Sequence, residues 1–148
     1  MNLSCCRLSP AELRYWLATA ETIKYTTVRG PYKMAVLTSS ELEQSPNVMR
    51  FLGKHEPYGC YIIKYCVGAF KEPHTDPPNR GSSKHQHERM VCMLQRCDEG
   101  GWLYIDGEPC FLLPRDAVIF RPDLEEHEVT PVFGGERIVL TVGKLVEP

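Results

Sequence analysis

The run His127-Glu128-Val129-Thr130-Pro131-Val132-Phe133-Gly134-Gly135-Glu136-Arg137-Ile138-Val139-Leu140-Thr141-Val142 holds two apolar segments parted by a glycine-bearing turn signal. Glu128–Val132 and Arg137–Val142 are short and rich in β-branched residues, so each predicts a strand. Moving outward, Cys60–Val67, Met90–Gln95, Trp102–Ile105, Cys110–Leu112 and Ala117–Phe120 have the same character. Many short strands between turn signals predict an antiparallel sandwich or barrel from Gly59 onward. Two intervening stretches predict loops: Glu72–Glu88 is rich in proline and polar residues, and Arg121–Glu126 is acidic and contains Pro122.

The N-terminal part has a different rhythm. Ser9-Pro10-Ala11-Glu12 combines a capping serine, a first-turn proline and a glutamate that completes a capping box. Leu13, Trp16, Leu17 and Ala20 then share one helical face, which predicts a helix over Pro10–Thr22 packed on a sheet. Tyr25–Val28 and Tyr32–Leu37 flank an Arg29-Gly30-Pro31 turn, and Ser40–Gln44 and Asn47–Leu52 read as short helical turns, the second ended by Gly53. The 148 residues suit one domain with helical support over about 1–57 and a β core over about 58–145.

Apolar residues make up 43% and charged residues 24%, with a net charge of −2, so no global field draws the chain to nucleic acid or an anionic membrane. No apolar run approaches the roughly 18 residues of a membrane span, and Met1–Arg7 lacks the regions of a secretory leader; a cytoplasmic location is the expectation. The seven cysteines are odd in number and form no C-x-x-C pair, which predicts reduced, partly buried thiols.

The chemistry-bearing residues cluster at strand ends. His74-Thr75-Asp76 places an imidazole and a carboxylate two residues apart, on one side of an extended chain. His127 opens a strand after the acidic loop. Two histidines and one carboxylate make the facial triad of non-haem Fe(II) oxygenases, which leaves coordination positions open. From each residue alone, a surface triplet or a loop histidine paired with Glu125, Glu126 or Glu128 is equally natural. Arg137 begins an apolar strand, where a cation needs a partner if buried, and a dicarboxylate co-substrate is one candidate.

Taken together, residues Tyr61–Gly143 resemble the prolyl 4-hydroxylase-like branch of the Fe(II)- and 2-oxoglutarate-dependent oxygenases. Tyr65-Cys66-Val67-Gly68 through His74-Thr75-Asp76 is similar to the family's Y-x-x-G...H-x-D block, and Arg89–Leu94 to its R-x-x-T-x-L strand. Gly100-Gly101-Trp102-Leu103, Leu113–Phe120, His127–Val132 and Arg137–Thr141 are similar to the blocks that follow, in the same order. The resemblance implies a double-stranded β-helix (a jelly roll, cupin-like), mainly β with an N-terminal helix. It implies Fe(II) on His74, Asp76 and His127, and 2-oxoglutarate on Arg137 with help from Thr141 and Tyr65. O₂ would be the second co-substrate and ascorbate an accessory reductant. Three positions depart from the pattern: Arg115 stands where the family has glycine, Cys92 replaces the threonine of R-x-x-T, and Arg96 stands where a tyrosine is usual. Arg96 is therefore a second candidate for the co-substrate carboxylate.

For substrate, the candidates are Arg89, Arg80 in the 77–88 loop, and Tyr61 and Trp102 on strands. The expected reaction is hydroxylation of a peptidyl residue, proline first. Alternatives are oxidation of a nucleobase or small metabolite, and a binding module without turnover. The short chain leaves little surface for duplex nucleic acid, so a peptide or small-molecule partner is expected.

Overall fold

The computed structural model describes residues 2–76 and 85–147, with side chains from residue 7 onward. In chain order the elements are β1 (Asn2–Arg7), α1 (Pro10–Thr22), β2 (Thr27–Arg29), β3 (Tyr32–Val36), α2 (Ser39–Leu42), α3 (Pro46–Leu52) and β4 (Glu56–Tyr65). There follow β5 (Lys71–His74), β6 (Gln86–Gln95), β7 (Glu99–Gly100), β8 (Leu103–Ile105), β9 (Glu108–Cys110) and β10 (Asp116–Phe120). The chain closes with β11 (His127–Val129), β12 (Val132–Gly134) and β13 (Arg137–Val146).

Seven strands form one antiparallel sheet in the order β1-β10-β6-β13-β4-β3-β2. A second sheet runs β5-β11-β8-β9, and β12 pairs with β7. The large sheet is buried on both faces, and its alternation sorts side chains into two cores. Ile62 of β4, Cys92 and Leu94 of β6, and Ile138, Leu140 and Val142 of β13 join Trp16, Val48 and Phe51 beneath the helices. Their neighbours Ile63, Val91, Met93 and Val139 face the other way, toward Leu103, Ile105 and Val129 of the second sheet. The functional cavity lies on that second side.

The helix over Pro10–Thr22 forms with the expected ends. The Ser9 hydroxyl accepts from the Glu12 N–H, and the Glu12 carboxylate accepts from the Ser9 N–H in return. Glu12 reaches further than a cap: it is buried and also accepts hydrogen bonds from Ser45 and Asn47 at the head of α3. One carboxylate thus joins two helices. Gly53 ends α3 with φ of 56°.

Several boundaries differ from expectation. Asn2–Arg7 is a strand paired with β10, and β2 and β3 extend the opposite edge, so the first 57 residues supply sheet as well as helical support. Glu72–His74, read as the start of a loop, belongs to the edge strand β5; Pro73 is tolerated there because an edge strand has unpaired N–H positions. The strand read from Met90 begins at Gln86, which turns His87 from a loop residue into a core one. The strand expected over Glu128–Val132 is broken at Thr130-Pro131 into β11 and β12. Trp102 lies just before β8 rather than on it. Of the seven cysteines, Cys60, Cys66, Cys97 and Cys110 are free thiols, and Cys60, Cys92 and Cys110 are buried. No helix among the described residues is long and apolar enough to cross a membrane.

Candidate metal centre

The two histidines are brought together by strand pairing. His74 closes β5 and lies opposite His127, which opens β11. Asp76 follows two residues later, and its backbone N–H donates to the Pro122 carbonyl at 2.7 Å, tying it to the acidic loop. His74, Asp76 and His127 each offer a ligand atom, and these atoms lie within 4.8 Å of one another.

Both imidazoles are oriented in the same way. The His74 Nδ1–H donates to the Glu72 carbonyl at 2.6 Å, and the His127 Nδ1–H donates to the Glu125 carbonyl at 3.0 Å. A carbonyl can only accept, so the proton sits on Nδ1 and the Nε2 lone pair is left for a metal. His74 Nε2 lies 3.5 Å from Asp76 Oδ1, and His127 Nε2 lies 3.2 Å from Asp76 Oδ2. Three electron-rich groups thus converge, an arrangement that calls for a cation between them. Arg89 answers part of that need, with Nη1 2.9 Å from Asp76 Oδ2 and 3.4 Å from His127 Nε2. Burial opposes ionisation of Asp76, but the Arg89 guanidinium beside it holds its carboxyl well below the usual range. The donor set fits a divalent metal with open positions.

The triad opens into a cavity of about 440 Å³ between the sheets. Tyr61, Tyr65, Arg89, Arg137 and Thr141 line it, as do His87, from the stretch read as a loop, and three residues that sequence reading passed over: Tyr32, Tyr58 and Lys71. Arg137 is fully buried, with its guanidinium 4.9 Å from the Tyr65 ring centre and no hydrogen bond at Nε. Burial pulls its pKa down, and Tyr65 opposes this by charge interaction and a hydrogen bond; no carboxylate pairs with it among the described residues. A buried guanidinium of this kind fits the carboxylate of a bound molecule. His87 packs edge-on against Tyr58 at 4.9 Å, and burial pulls its pKa to about 4, so it is neutral near pH 7.

Other candidates lie elsewhere. Arg96 stands over the outer faces of Phe111 and Trp102, at 4.6 and 5.6 Å, and does not line the cavity. Trp102 is 40% exposed and stacks on Phe111. Arg80 lies outside the described residues.

No family model matches the chain, and no curated protein matches it in sequence. Solved structures do match in fold. A viral collagen prolyl hydroxylase from Paramecium bursaria Chlorella virus-1, in complex with 2-oxoglutarate, superposes with a TM-score of 0.72 at 15% identity, over 95% of this chain and 92% of that one. A Pseudomonas putida prolyl-4-hydroxylase gives 0.64 at 24% identity, over 97% and 90%. The cupin domain of Schizosaccharomyces pombe Cnp3 gives 0.55 at 9% identity, over 85% and 71%. The fold is thus a mainly β double-stranded β-helix with an N-terminal helix, an architecture that the matched oxygenases and cupins have in common. Fold by itself does not choose among their chemistries.

Proposed function

We propose that this chain is an Fe(II)- and 2-oxoglutarate-dependent oxygenase that hydroxylates a C–H bond of its substrate. One observation carries the reading: the His74–Asp76–His127 triad and the uncompensated Arg137 occupy the same cavity. Fe(II) held there would supply O₂ activation coupled to oxidative decarboxylation of 2-oxoglutarate, with one oxygen atom entering succinate, the other the product, and CO₂ released. His74, Asp76 and His127 would hold the metal by Nε2, carboxylate and Nε2. Arg137 would fix the distal carboxylate of 2-oxoglutarate, with Tyr65 and Thr141 beside it. The walls formed by Ile63, Val91 and Val139 exclude water from the reacting centre. Arg89 and Tyr61, at the same cavity, are the substrate candidates. A peptidyl residue such as proline is the proposed target, a reading supported by the fold shared with the viral and Pseudomonas prolyl hydroxylases.

The test is succinate release by the purified chain. Succinate should form only when Fe(II), 2-oxoglutarate and O₂ are all present, and a peptide substrate should gain one oxygen by mass. Asp76→Ala should abolish succinate formation and weaken metal binding at least 10-fold, with the melting transition retained. Absence of succinate from folded, iron-loaded protein would favour a binding module.

A further inference from the structure

Lys71 is a cation facing the cavity that forms no ion pair among the described residues. It opens β5, three residues before His74. In a regular strand an odd separation sends two side chains to opposite faces. Here His127 pairs with His74 while Val129 pairs with Lys71, so two steps on β11 oppose three on β5. That bulge turns both side chains inward, and both line the cavity.

The ammonium stands 4.2 Å from the centre of the Tyr32 ring. Tyr32 packs edge-on against Tyr65 at 5.3 Å, and Tyr65 carries Arg137 on its far side. Two tyrosines thus lie along the line of contacts from Lys71 to Arg137. A smaller groove adjoins the cavity across Tyr32 and Lys71, where Arg29, Pro31 and Phe70 line it. Burial first, then the like charge of Arg29, pull the lysine downward, and the Asp76 carboxylate pulls the other way. No ion pair of Lys71 or Arg29 exists among the described residues. Two like charges gathered beside an aromatic ring, neither of them in an ion pair among the described residues, fit an anion supplied from outside.

We infer that Lys71, with Arg29 across the Tyr32 ring, forms a second anion subsite that takes a carboxylate of the substrate. The inference deepens the oxygenase reading and rests on it for calling the ligand a substrate. The carboxylate belongs either to a small free acid or to an acidic peptide, and the two sources are separable.

Calorimetric titration of the full chain decides the matter. The probes are benzoate against benzamide, and a capped pentapeptide with one central glutamate against its glutamine twin. Each is titrated with Ni(II) and 2-oxoglutarate present, so that Arg137 is occupied, and again without metal. At least one acid should bind about 10-fold or more tightly than its amide, since a charge-assisted hydrogen bond is worth that much. Lys71→Met should erase the preference and Lys71→Arg should restore most of it. The preferred pair identifies the source of the carboxylate. Equal binding of acid and amide in both pairs, or a preference that survives Lys71→Met, overturns the subsite. An acid preference without succinate formation would instead remove the oxygenase reading and leave the subsite standing.

Discussion

His74 and His127 each spend Nδ1 on the carbonyl two residues before them, and this sets which nitrogen faces Asp76. Local backbone bonding thus turns both Nε2 atoms toward one carboxylate, the orientation that a metal site requires. Arg137 is the opposite case, a side chain whose buried charge the described residues leave uncompensated. Replacing it by methionine keeps the volume and removes the charge. Arg137→Met should raise the Michaelis constant for 2-oxoglutarate 10-fold or more, with a smaller change in kcat, as measured by succinate release. An unchanged constant would move the carboxylate partner to another residue. Arg96 is poorly placed for that task, since it stands over Phe111 and Trp102 outside the cavity.

Among the elements, β13 shows how one strand serves two cores. Ile138, Leu140 and Val142 point under the helices, while Arg137, Val139 and Thr141 line the cavity. Its sequence reads as a nearly unbroken apolar run because both faces are covered. The strand also needs Gly143 for close contact with its neighbour. A Cβ at Gly143 would lie 1.9 Å from the Tyr58 carbonyl oxygen and 2.9 Å from the His87 ring. Gly143→Ala should therefore part β4 from β13 and cost about 2 kcal/mol, read from the midpoint of urea unfolding. A midpoint equal to the parent's would show that the strands give way freely. On β5 the bulge performs the analogous task for the site, since it presents both Lys71 and His74 to one space.

Across the whole molecule, Glu12 links α1 to the α3 segment that closes the outer core. Burial pushes its carboxyl upward, but hydrogen bonds from Ser45, the Ser9 backbone and Asn47 prevail and hold it at about 2, below its ordinary 4.5. A depressed carboxyl stabilises the folded chain above its unfolded pKa and loses that contribution as pH falls. The window here runs from about 4.5 down to about 2. Glu12→Gln should lower stability at pH 7 by about 2 kcal/mol. It should also flatten the fall in melting temperature across that acid window, followed by circular dichroism. Parallel pH profiles for the two proteins would assign the acid sensitivity to other groups.

What the residues determined by themselves was local. The capping box at Ser9 and Glu12, the helix over Pro10–Thr22 and the alternation of the central strands all follow from neighbours in the chain. Donor type and spacing made the two histidines and the aspartate candidates, and the resemblance of the flanking blocks to the oxygenase pattern joined them into one set. Long-range pairing decided the rest. Asn2–Arg7 became a strand because β10 offered it an edge, and Gln86–Glu88 joined β6 because β13 runs on to Val146 beside it. Lys71 could not be found by counting, since parity predicts that it faces away from His74 and only the bulge against β11 reverses that. Whether a charge is buried, and with what beside it, depends on surfaces brought together from distant parts of the chain.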